Sequence, residues 1–295
     1  MKSFLGALLL LLTAHAGQAG AGEITPVSFH SATLGRDWDY NVYTPTGYAP
    51  AAARYPVLYL LHGFGNTRNE WVDKGGIGQT ADQLIASGAI PPCLIVMPTA
   101  GESWYLDRQE RMETAFIHDL LPEIEARYAT RPGRQGRLLA GVSMGGYGAL
   151  RFALRYPEAF SAAALMSPAI YDPLPPANSA SRRSAAFFTA GAFDPKLWQD
   201  NNYPALLDHF RATGRIMPLF VAAGNEDELN IGGHVANLAR FWNEQHWPGT
   251  FLVMSGRHNF EMWRRIMPEA LRFLFHQMPT PDIRLISSLQ RRRAQ

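Results

Sequence analysis

Residues 138–150 read LLAGVSMGGYGAL, and this stretch decides the fold. Leu138 to Val142 form a short, almost wholly apolar run, the pattern of a strand covered on both faces. Gly141-Val142-Ser143-Met144-Gly145 is G-x-S-x-G, and Gly146 to Tyr156 (GYGALRFALRY) has helical spacing. The motif alone occurs by chance in many chains. Strand before and helix after give it meaning. A tight turn between them lifts the Ser143 hydroxyl above the sheet edge and sets it at a helix N-terminus, and small flanking residues let the backbone turn without collision. Ser143 is the candidate nucleophile.

The same rhythm extends outward. Tyr55 to Leu61, Cys93 to Met97, Arg137 to Val142, Phe160 to Met166, Ile216 to Ala223 and Thr250 to Met254 read as buried strands. Helical patterns fall between and after them at Thr80 to Ser87, Arg111 to Tyr128, Gly146 to Tyr156, Val235 to Gln245 and Asn259 to His276. Repeated strand-helix alternation predicts an α/β protein with a mostly parallel, doubly wound sheet and helices on both faces. Ile24 to His30 and Trp38 to Tyr43 read as two antiparallel edge strands. Residues 171–214, rich in Pro, Ser, Asn and aromatics, break the rhythm and read as a lid-like insertion over the active site.

A serine nucleophile on such a sheet needs an acid and then a histidine, in that chain order. His209, His234, His246 and His276 fall in predicted helices or at their edges. His258 follows the last strand, at the carboxyl end where catalytic groups gather in open α/β sheets, and is the candidate base. The loop after Ile216 to Ala223 reads Gly224-Asn225-Glu226-Asp227-Glu228. Asp227 is the preferred acid, with Glu226 as competitor and Asp194 as a weaker one. Two backbone amides should hold the oxyanion, those of Met144 and of Phe64 in His62-Gly63-Phe64-Gly65. His62 precedes the serine and reads as a loop-bracing residue.

The chain resembles the esterase D family of α/β-hydrolases, which includes feruloyl and acetyl-xylan esterases, S-formylglutathione hydrolase and mycolyltransferases. The resemblance is carried by Leu60 to Trp71 (LLHGFGNTRNEW), Met97 to Asp107 (MPTAGESWYLD), Phe116 to Tyr128, Leu138 to Leu150, Arg155 to Asp172, Ala222 to Leu229 and Gly256 to Trp263 (GRHNFEMW). It implies an α/β-hydrolase fold and a triad of Ser143, Asp227 and His258, in agreement with the chain-order argument. It also implies that Trp104 and Tyr105 border the cleft as substrate-binding residues. HGFG departs from the HGGG of many relatives, and residues 171–214 align with nothing in the family. Trp71, Trp198 and Trp263 read as core or lid packing.

Composition bounds the rest. At 47% apolar and 18% charged, the chain reads as an ordinary globular protein with a large core. A formal charge of +2, part of it from Lys2 and Arg291 to Arg293, suggests no nucleic-acid partner. The single cysteine, Cys93, excludes an intramolecular disulfide and reads as a buried small hydrophobe. No metal or nucleotide motif is present, so no cofactor is expected. Residues 1–19 have a basic start, an apolar run from Phe4 to Leu12 and small residues after it, the layout of a secretory signal peptide cleaved after Ala19, or after Ala16 or Ala21. The apolar run is too short to span a bilayer, so no transmembrane segment is expected in the mature chain, residues 20–295. The expectation is a secreted or periplasmic serine esterase, acting through an acyl-enzyme on a small-molecule or carbohydrate-linked ester. The alternatives are an acyltransferase with the same triad and a non-catalytic binding protein on the same fold.

Overall fold

The computed structural model describes residues 20–278. The leader, residues 1–19, and the Arg291 to Arg293 tail lie outside the described residues. Eight strands form one sheet: β1 (Glu23–Ser31), β2 (Arg36–Thr44), β3 (Val57–Leu61), β4 (Leu94–Pro98), β5 (Arg137–Val142), β6 (Ala162–Met166), β7 (Leu219–Gly224) and β8 (Gly249–Met254). Their order is β1-β2-β4-β3-β5-β6-β7-β8. β1 and β2 form a hairpin in register from Glu23↔Thr44 to Ser31↔Arg36, and β2 pairs antiparallel with β4. All other pairs are parallel.

Parallel strands need crossover helices, and those helices cover both faces. Successive side chains point to opposite faces, so each apolar run feeds two cores. Tyr59, Leu61, Val96, Leu139, Leu165 and Val221 lie in one core, with residues from the helical stretch 112–127, the helix Met144–Arg155 and the helix Ile231–Glu244. Leu58, Leu60, Ile95, Leu138, Ala164 and Ala222 lie in the other, with residues from Ile77–Ala86 and Phe260–His276. Cys93 is fully buried there.

Boundaries differ from expectation for local reasons. β7 starts at Leu219 rather than Ile216, because Pro218 has no N–H to offer a ladder. The helix expected from Val235 starts at Ile231, directly after Asn230 in the left-handed region at φ 53°. Its Gly232 and Gly233, poor helix formers, hid the first turn.

Residues 171–214 are packed structure: one-turn helices, a two-residue hairpin, and the helices Pro195–Asn201 and Leu207–Thr213. Phe187 and Trp198 have no exposed surface and are part of the first core. The segment also bridges two loops beyond the carboxyl ends of strands. Asn178 Nδ2 donates to Glu228 O at 3.4 Å and Ser184 Oγ donates to Glu102 O at 3.4 Å.

Candidate active site

Ser143 ends β5 and begins the next helix with φ 54° and ψ −117°. A non-glycine residue held there stores about 1–3 kcal/mol of strain, so its surroundings must over-determine it. They do. Its amide donates to Met166 O at 3.0 Å, and its carbonyl accepts from Tyr147 and Ala169 at 3.0 Å each. The flanking glycines are steric necessities: a Cβ on Gly141 would lie 2.3 Å from Gly145 O, and one on Gly145 would lie 2.5 Å from Leu61 O.

His258 lies in the loop after β8, and Asp227 in the loop after β7. His258 Nε2 is 2.9 Å from Ser143 Oγ, and Nδ1 is 2.8 Å from Asp227 Oδ2. The second carboxylate oxygen accepts from Leu229 N–H at 2.9 Å. With the Asp227 side chain only 1% exposed, this pairing fixes the imidazole tautomer: Nδ1 carries the proton and Nε2 accepts from the serine. Trp263 meets the His258 ring edge to face at 5.0 Å and is itself anchored by Nε1–H to Ser167 Oγ at 3.0 Å. The competitors sit elsewhere. Glu226 faces outward, with Oε1 accepting from Ser255 Oγ, and Asp194 caps the helix at Pro195.

The loop after β3 stands against the elbow, and a Cβ on Gly63 would be 3.9 Å from Ser143 Cβ. Gly63 N–H donates to Glu70 Oε2 at 2.7 Å, Gly65 N–H to Gly101 O at 3.0 Å and Asn66 N–H to Gly63 O at 3.3 Å. Among the described residues, neither the Phe64 nor the Met144 amide is committed to a protein acceptor. His62 braces the loop as expected: Nδ1–H donates to Gly63 O at 2.6 Å and Nε2 accepts from Ala100 N–H at 2.7 Å. Burial pulls its pKa down to about 4, so the ring is neutral near pH 7. Glu70 is a site residue that sequence reading passed over. Its cue was a lone carboxylate before Trp71, one short turn beyond the glycine loop.

The expectation for Trp104 and Tyr105 needs correction. Both are buried, at 1% and 0% exposure, and offer a substrate no surface. Tyr105 packs on Gly148, where a Cβ would be 2.5 Å from its ring, and its hydroxyl donates to His62 O at 3.1 Å. Trp104 is enclosed by Phe64, Tyr147, Phe187 and Trp198. They support the walls of the site from behind. A cavity of about 980 Å³, lined by Ile90, Phe220, Leu252, Phe273 and Met278 among others, lies near the amino ends of β7 and β8, away from Ser143. Among the described residues no three His, Cys, Asp or Glu side chains cluster as a metal site would require. No described helix is long and apolar enough to cross a membrane.

The Esterase family model matches residues 31–274, from the end of β1 to the last helix. The chain belongs to this family of esterases. The chain is 35% identical over 162 residues to the endo-1,4-beta-xylanase/feruloyl esterase of Xylanibacter ruminicola, a stretch covering 52% of the chain and only 22% of that protein. It is 23% identical over 227 residues to the acetyl esterase of Caldicellulosiruptor saccharolyticus, covering 74% of one chain and 82% of the other. A solved ferulic acid esterase superposes with a TM-score of 0.72 at 24% identity, over 87% of this chain and 99% of that one. That last likeness is one of fold, and the fold is that of the α/β-hydrolases.

Proposed function

We propose that this chain is a serine carboxylic-ester hydrolase acting through an acyl-enzyme. One observation carries the reading: an unbroken relay from Ser143 Oγ to His258 Nε2 at 2.9 Å and from His258 Nδ1 to Asp227 Oδ2 at 2.8 Å. Ser143 attacks the ester carbonyl while His258 takes its proton. Asp227 holds the tautomer and stabilises the imidazolium. The uncommitted Phe64 and Met144 amides receive the oxyanion. His258 then returns its proton to the leaving alcohol and activates the water that frees the acid. Family membership supports ester chemistry. Feruloyl and acetyl esters are the first acyl groups to assay, because relatives carry those names. The layout of residues 1–19 supports export to the periplasm or beyond, which N-terminal sequencing of the exported protein tests.

A fluorophosphonate probe with p-nitrophenyl acetate hydrolysis tests the chemistry. Wild type should label at Ser143 and show a pre-steady-state burst. Ser143→Ala should lose labelling and several orders of magnitude in kcat while keeping its circular dichroism. Labelling at another serine would overturn the assignment. Faster turnover with an added alcohol, giving a new ester, would make the chain an acyltransferase. A folded chain turning over no ester would be a binding protein.

A further inference from the structure

Glu70 is almost completely buried, at 6% exposure, yet it has no part in the Ser143–His258–Asp227 relay. It follows the glycine loop, and its carboxylate turns back onto that loop. Oε2 accepts from Gly63 N–H at 2.7 Å. A Cβ on Gly63 would lie 3.4 Å from Glu70 Oε2 and 3.9 Å from Ser143 Cβ, so carboxylate and nucleophile flank the same glycine. A charged acceptor binds an amide more tightly than a neutral carbonyl does. Gly63 N–H is therefore the most firmly claimed donor of the loop, and its neighbour Phe64 N–H is left unclaimed.

We propose that Glu70 is a positioning residue for the oxyanion loop: it fixes the Gly63 amide so that the Phe64 amide is presented to the substrate oxygen. This inference rests on the serine-esterase reading above. A buried negative charge near a developing oxyanion would oppose catalysis, and the surroundings moderate it. Lys74 Nζ stands 3.5 Å from Glu70 Oε1 and donates to Asn66 Oδ1 at 3.3 Å. Burial pushes the Glu70 carboxyl above its ordinary range, while the Gly63 amide and Lys74 pull it back. What the loop requires is an acceptor oxygen at the right reach.

Three substitutions separate reach from charge, each assayed with p-nitrophenyl acetate and expressed per active site titrated to completion with a fluorophosphonate. Glu70→Gln removes the charge but keeps an oxygen that can accept Gly63 N–H, and kcat should stay within about threefold. Glu70→Asp keeps the charge but withdraws it by a C–C bond of about 1.5 Å. Glu70→Ala removes it. Both should lower kcat on the order of 10²-fold, the scale of losing one oxyanion donor, with KM within about threefold. If Asp and Ala variants keep wild-type kcat per titrated site and lose only titratable protein or melting temperature, Glu70 is merely structural and the proposal fails. It also fails if Gln is as damaged as Ala. If Glu70→Ala does not fold, the ranking of Gln above Asp still decides. Failure of the esterase reading shows separately, as wild type that neither labels at Ser143 nor hydrolyses the ester.

Discussion

The histidine's choice of carboxylate turns on one residue. Asp227 and Glu226 are neighbours, but the turn after β7 sends them in opposite directions. Asp227 goes inward to His258, and Glu226 goes out to Ser255, with Arg257 3.9 Å away. Asp227→Asn should therefore cost roughly 10²–10⁴ in kcat, because an amide in that position favours the wrong tautomer. Glu226→Gln should cost less than about tenfold, as expected of an exposed carboxylate touching no reacting group. Steady-state kinetics on p-nitrophenyl acetate measure both, and a crippled Glu226→Gln beside a mild Asp227→Asn would reverse the assignment. At this scale the chain was legible wherever chemistry constrains order and spacing, as at Ser143, Asp227 and His258. It was illegible wherever a role depends on what surrounds a side chain. Trp104 is flanked by residues suited to a cleft, and it is Phe187 and Trp198, over 80 positions later, that bury it.

Elements were legible for a related reason. A strand covered on both faces must be apolar throughout, so the central strands stood out even where their ends did not; Thr250 to Met254 reads the same way, but the edge strand there is half exposed. Helix interiors showed less. Arg111 to Tyr128 reads as one helix, but the helical stretch there passes through a π-helical turn at Phe116–Leu120 that no apolar spacing announces. The order within 171–214 comes from long-range aromatic packing and was not readable as elements at all. One tight junction between elements is where the helix Met144–Arg155 meets the end of β3. Gly145→Ala would push a methyl to 2.5 Å from Leu61 O and 2.7 Å from His62 O, both of them backbone atoms with little freedom to yield. The expected cost is about 1–3 kcal/mol, and each kcal/mol lowers Tm by roughly 2–4 °C in a chain of this size. The displaced His62 carbonyl should depress kcat as well. A Gly145→Ala protein matching wild type in both Tm and kcat would mean the junction is looser than described.

Across the whole molecule, two cores sandwich one sheet, and one buried cysteine leaves no possibility of an internal disulfide. Apolar packing in the two cores is joined by buried polar pairs, such as Arg151 Nε with Glu113 Oε2 at 2.6 Å. The strand order distributes the machinery unevenly over this frame. Ser143 follows β5, which is paired on both sides by β3 and β6. Asp227 follows β7, held between β6 and β8. His258 follows β8, one of the two edge strands, which among the described residues has a single neighbour and exposes Leu252 and Val253 at 40% and 52%.

That placement makes the rim of the sheet the first thing heat should undo. Segments with few buried contacts open at a lower free-energy cost than the centre, so β8 can fray while the middle strands stay paired. Once it frays, the proton acceptor drifts from a hydroxyl still held at full strain, and turnover stops in a molecule that remains nearly all folded. Residual activity on a temperature ramp should fall several degrees before the far-ultraviolet dichroism does, and recover on cooling from that interval. Coincident curves would mean that periphery and centre melt as one. If the curves separate, the upper temperature for the proposed hydrolysis is set by one strand, and reinforcing β8 would extend it with Ser143, Asp227 and His258 left untouched.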